Sequence, residues 1–208
     1  MSIVFAAISP HPPIILPSVG SEEDKKQVKN TIKALREAGE KLKKSDPDVI
    51  VISSPHPDWG FQVPLFFLAK DFKGKIERLL MGNEMPEACF EQGKKTCAKY
   101  DMRNGKLKFG LIASGDLSHC LKEEGPYGFN PDGPEFDKEL IKALKRKDIK
   151  KILKLADIYP GAGECGLRSI CFILGVLQEA KISWQTEILS YEGPWGVGYL
   201  VANFKVCQ

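Results

Sequence analysis

Two short, continuously apolar runs constrain the fold more than any other feature: residues 3–8 (IVFAAI) and 48–53 (DVIVIS). Runs of this length without polar alternation belong to strands covered on both faces. Between them lies a helical stretch. Ser21 opens it with Glu22, Glu23 and Asp24 in the first turn, where acids suit the positive end of the helix dipole. Val28, Ile32, Leu35 and Leu42 then recur on one face. Strand, amphipathic helix and strand make a βαβ unit, which forces the two strands parallel through a right-handed crossover.

One phrase leaves both strands. The first runs into Ser9-Pro10-His11-Pro12 and the second into Ser54-Pro55-His56-Pro57. Parallel strands place both histidines at the same carboxyl edge, where open α/β sheets bind their ligands. The flanking prolines fix φ and restrict the residue before them, so each imidazole sits on a stiff loop. A third apolar run, residues 107–113, leads into Ser114-Gly115-Asp116-Leu117-Ser118-His119. The chain has three histidines, and all three lie just beyond strand ends. One such histidine would read as a surface or core residue; three in matching positions read as a site.

Two imidazoles suit a borderline divalent metal such as iron or zinc, but a third ligand is needed. Glu164, in the glycine-rich segment 160–166 (PGAGECG), would complete a two-histidine, one-carboxylate face suited to ferrous iron. Cys165 is its rival, and a thiolate would shift the preference toward zinc. Asp116 either orients a histidine or caps a turn.

The remaining pattern predicts helices over residues 86–100, 136–144, 149–156 and 167–180, with closing strands over 184–191 and 197–206. Residues 61–75, apolar and rich in Phe, read as loop plus strand. Residues 120–134, rich in Gly, Pro and Asn, read as a loop near the site. Gly193, Gly196 and Gly198 read as hairpin-turn residues between the closing strands. A GxGxxG match at Gly161, Gly163 and Gly166 follows a helix end and a proline instead of a strand, which argues against dinucleotide binding. With 208 residues and no linker-like break, the expected architecture is one α/β domain over residues 1–208. It has a central, largely parallel or mixed sheet, helices on both faces, and the site at the carboxyl edge of the strands.

Charge excludes some classes of partner. There are 30 basic and 27 acidic residues, for a net charge of +3, so no basic face points to nucleic acid. The lysine-rich stretches alternate with acids and read as solvated helix faces. No run approaches membrane-span length, and the first residues lack a basic n-region, so the expected location is cytoplasmic. The six cysteines form no CxxC pair and are expected to be reduced thiols. The oligomeric state is left open, a homo-oligomer included.

Taken in order, ISPHPPIILP around His11, SSPHP around His56, ASGDLSH around His119, GECGLRS around Glu164 and Cys165, and the closing YEGPWGVGYLV resemble a known family. It is that of the class III extradiol ring-cleavage dioxygenases (the LigB type) and their Memo-like relatives. The resemblance spans most of the chain. It implies a sheet flanked by helices, His11 and His56 as metal ligands, and His119 as an acid/base group. Asp116, from its place two residues after the third strand, is the other catalytic candidate. In the dioxygenase branch a glutamate completes the iron site, pointing to Glu164; in the Memo-like branch a cysteine does, pointing to Cys165. The activity implied is dioxygen-dependent opening of a catechol-like ring on Fe(II), with Zn(II) the alternative metal. Trp59, Phe61, Phe66 and Tyr127 are the aromatic residues that could wall the ring. Two alternatives stand beside it: a metal-dependent hydrolase, and a Memo-like metal-binding protein that holds a partner segment.

Overall fold

The computed structural model describes residues 2–206, so Cys207 lies outside the described residues. Strands β1 (Ile3–Ser9), β2 (Val49–Ser54), β3 (Lys75–Leu80) and β4 (Phe109–Ser114) are mutually parallel. The closing pair, β5 (Trp184–Glu192) and β6 (Tyr199–Val206), is antiparallel, and β6 pairs antiparallel with β1. The strand order in the single sheet is β3-β2-β4-β1-β6-β5, a mixed sheet of six strands.

Helices cover both faces. Helices α1 (Glu22–Gln27) and α2 (Lys29–Ser45) connect β1 to β2, and α3 (Trp59–Leu68) connects β2 to β3. Helix α4 (Pro86–Lys99) joins β3 to β4. Beyond β4 come α5 (Asp132–Arg146), α6 (Ile149–Leu153), α7 (Leu155–Ile158) and α8 (Leu167–Glu179). Alternation along the strands fills two cores. Phe5, Ala7, Ile50, Ile52 and Ile112 pack with α2 and α3, while Ile3, Ile8, Val51, Leu111 and Ala113 pack with α4, α5 and α8. This is why the strands carry no polar alternation.

Val28, Ile32, Leu35 and Leu42 all bury on the α2 face, but the helix breaks at Val28. The new start is capped from a distance. The Glu192 carboxylate accepts from Thr31 N–H and Oγ1–H and from Asn30 Nδ2, supplying negative charge where the dipole favours it. On the other face α4 and α8 touch through backbone. Gly93 and Gly175 have no room for a Cβ, which would lie 2.0 Å from the carbonyls of Phe172 and Phe90 respectively.

The reading of residues 61–75 needs correction. The Phe-rich part is the helix α3, and the strand begins only at Lys75. A helix apolar nearly all round has no clear period, so burial against β2 and α2 decides its state. Among the described residues no helix is long and apolar enough to cross a membrane.

Candidate metal and acid–base site

Strand β4 lies between β1 and β2, and the three end level. Ser9 pairs with Ser114, and Ser53 with Ala113. The SPHP loops of β1 and β2 therefore flank the segment that leaves β4. His11, His56 and Cys165 converge there, each offering a ligand atom within 4.8 Å of the others. The His11 and His56 rings stand edge to face with centroids 5.2 Å apart, and Cys165 Sγ lies 3.6 Å from His11 Nε2. His11 is buried, Cys165 half-buried and His56 exposed, so the cluster opens to solvent on one side.

The proton on His11 can be placed. Its Nδ1 lies 2.9 Å from Ser114 Oγ, and that hydroxyl donates to the Gly60 carbonyl. A serine hydroxyl has one proton, so Nδ1 must donate and Nε2 keeps its lone pair for the cluster. Gly60 is free to accept because Pro64, four residues on in α3, has no N–H to give it. The mid-helix proline thus leaves open the acceptor that anchors the histidine. Burial, reinforced by the neighbouring His56 charge, pushes His11 down to about 3. The imidazole is held neutral, as a ligand must be.

Glu164 and Cys165 point to different partners. Glu164 Oε2 accepts from Leu167 N–H at 2.7 Å, capping α8, and Oε1 pairs with Arg168 at 3.0 Å. Both oxygens are engaged outside the cluster, which takes Cys165 as its third member. Burial and the adjacent Asp116 push the Cys165 thiol well up; a bound divalent cation reverses that preference and favours the thiolate. Two imidazole nitrogens and one sulfur fit a borderline divalent metal.

Asp116 ties the loops together. Oδ1 accepts from His11 N–H at 2.9 Å, its backbone N–H donates to Cys165 Sγ at 3.3 Å, and its carbonyl accepts from Gly166 N–H at 2.9 Å. Its Oδ2 stands 3.9 Å from His11 Nε2. Burial pushes this carboxyl up to about 6.

His119 is set beside the cluster without joining it. Its Nδ1 lies 2.7 Å from the Gly163 carbonyl, which can only accept, so Nδ1 carries the proton and Nε2 the lone pair; the Leu117 backbone also interacts with the ring. Burial lowers its pKa, against the opposing pull of Asp116. The Tyr127 ring stacks on the imidazole at 5.4 Å and is itself largely exposed.

Of the expected ring walls, Tyr127 and the exposed Trp59, three residues after His56, lie at this edge. Phe61 is a buried core residue of α3 itself, and Phe66 packs with Phe67 and Lys70 toward the end of α3 remote from His56. Sequence reasoning passed over Tyr199, whose phenol pKa is raised by burial and then by the nearby Asp116 carboxylate. It also passed over Ser114, although ISP, ISSP and IASG showed that all three site strands end in serine. The GxGxxG glycines precede α8 but follow α7, not a strand; Gly163, at φ +61°, carries the carbonyl that receives His119 and leads directly into Glu164.

The chain is 30% identical to Protein CA_C1420 of Clostridium acetobutylicum, over 99% of this chain and 58% of that protein. It therefore spans little more than half the length of that relative. Its fold is similar to that of an uncharacterized protein, JW3007, from Escherichia coli K12, with a TM-score of 0.64 at 15% identity, covering 96% of this chain and 99% of that one. The family described as the catalytic LigB subunit of aromatic ring-opening dioxygenase matches residues 5–57 and 56–202, and it is to this LigB family that the chain belongs.

Proposed function

We propose that this protein is a metal-dependent dioxygenase that opens a catechol-type ring beside one hydroxyl, with His11, His56 and Cys165 as ligands and His119 moving the protons. The observation that carries the reading is the cluster of His11, His56 and Cys165, open to solvent at His56, beside a histidine whose Nδ1 donates to Gly163 and whose Nε2 therefore carries the lone pair. Ferrous iron is the metal proposed; when bound it supplies a Lewis acid for the diol oxygens and a redox centre for dioxygen.

The chain's own residues do the rest. His119 keeps its Nδ1 proton on the Gly163 carbonyl, so Nε2 accepts the phenolic proton and returns it later. Tyr127 holds the imidazole by stacking, and Trp59 offers a ring face at the mouth. Asp116 keeps the His11 backbone and the Cys165 sulfur in one frame.

One observation favours a second reading. A sulfur ligand in place of a carboxylate suits zinc, and the same site would then serve a hydrolase or a Memo-like metal-binding protein. Protein loaded anaerobically with Fe(II) and exposed to air with simple catechols separates the two. Formation of the yellow ring-opened product, lost in His119→Ala with metal retained, supports ring opening. Intact catechols, retained zinc and oxygen-insensitive activity support the alternative. Metal content tests the ligand set. It is expected to fall in Cys165→Ala and to persist in Glu164→Gln; the opposite pattern refutes Cys165 as ligand.

A further inference from the structure

Ser118, the residue before His119, is fully buried with every polar group engaged. Its N–H donates to Asp137 Oδ1 at 2.8 Å, and its carbonyl accepts from Gly198 N–H at 2.8 Å. Its hydroxyl donates to the Ala162 carbonyl at 2.7 Å and accepts from Cys120 N–H at 2.9 Å. Asp137 reaches this point from α5, 1% exposed, and its Oδ2 accepts from the Tyr191 hydroxyl at 2.6 Å. The fit has no slack: a Cβ on Gly198 would lie 2.1 Å from Asp137 Oδ2. A second acid of α5, Asp132, accepts from Gly161 N–H at 2.8 Å in the loop whose Gly163 carbonyl receives His119. Helix α5 thus braces both segments that meet at the imidazole.

Burying a carboxylate is unfavourable, and an apolar residue would fill the space with less desolvation. What the carboxylate secures is the backbone immediately before His119. We infer that Asp137, completed by Tyr191 and Gly198, is the positioning residue of His119: it fixes the Ser118–His119 backbone so that the ring donates from Nδ1 to Gly163 and keeps its lone pair on Nε2. The catalytic value of this brace rests on His119 as the proton-moving group; the brace itself does not.

The test is therefore read first without turnover. With three histidines in the chain, long-range proton–nitrogen NMR of the folded, zinc-loaded protein resolves each imidazole tautomer. Wild type and Asp137→Asn, whose amide oxygen still accepts from Ser118, are expected to show His119 as the Nδ1–H form. Asp137→Leu is expected to shift the His119 nitrogens toward a mixture of tautomers and leave His11 unchanged. Gly198→Ala displaces the carboxylate without removing it, should reproduce the shift, and carries the test if Asp137→Leu does not fold. His119 signals unchanged in a folded Asp137→Leu or in Gly198→Ala overturn the inference. In active enzyme, Asp137→Leu is expected to lower kcat about 10- to 100-fold with KM nearly constant, and Asp137→Asn to restore it. If wild type opens no catechol, the ring-opening reading fails while the tautomer result still decides the brace.

Discussion

Replacing Ser114 by alanine removes one hydroxyl and leaves two buried groups without partners. His11 Nδ1–H loses its acceptor, and the Gly60 carbonyl loses its donor, because Pro64 has no N–H to replace it. His11 is 5% exposed and Gly60 is buried, so water does not readily substitute. Each orphaned buried group costs about 1–3 kcal/mol, which puts the loss of stability at roughly 2–6 kcal/mol in metal-free protein. On the proposed ligand set, removing the group that orients the His11 imidazole is expected to weaken metal binding by about 10- to 100-fold. Urea unfolding measures the first quantity and competition against a chelator of known affinity the second. Adding Pro64→Ala separates the two effects. The new amide N–H can serve the Gly60 carbonyl, so the double variant should recover about 1–3 kcal/mol relative to additivity. It should recover none of the metal affinity, since Nδ1–H is still unserved. A Ser114→Ala protein of wild-type stability and wild-type metal affinity would refute the relay from Pro64 through Gly60 and Ser114 to His11.

Asp137 makes a pH prediction of its own. Burial pushes it up to about 7 from 3.8, against the bonds from Tyr191 and Ser118 and with a small push from Glu164. A raised carboxyl keeps its proton in the fold after the unfolded chain has lost it, so its contribution is full below pH 3.8 and is lost as pH rises through about 7. The swing is up to about 4 kcal/mol, and Asp137→Asn should flatten it; an unchanged slope of stability between about pH 4 and 7 counts against the assignment. At the α4–α8 crossing, Gly175→Ala puts a Cβ 2.0 Å from the Phe90 carbonyl and must push the helices apart. The expected loss is about 1–3 kcal/mol, read as a fall in melting temperature of roughly 2–4 °C per kcal/mol; an unchanged melting temperature would show that the crossing yields freely.

Local pattern was enough for the frame of this protein. The two apolar runs with an amphipathic helix between them determine parallel strands, and the repeated SPHP places His11 and His56 at one edge, because side-chain period and crossover handedness are local properties. The third strand ending near His119 follows from the same rule. The helix α3 was not legible, since a segment apolar on every side carries no period and takes its state from what it packs against.

Which of Glu164 and Cys165 faces the two histidines also belonged to the tertiary structure. Adjacent residues have the same sequence context, and the decision fell to the left-handed turn at Gly163 and to the start of α8, which claims the Glu164 carboxylate for Leu167 N–H. The links that give the site its protonation pattern are likewise non-local. Ser114 meets His11 across 103 positions and Gly60 across 54, and Ser118 meets Asp137 across 19. Sequence determined which residues reach the edge of the sheet; only folding, by pairing each buried donor with a distant acceptor, determined what each of them can do there.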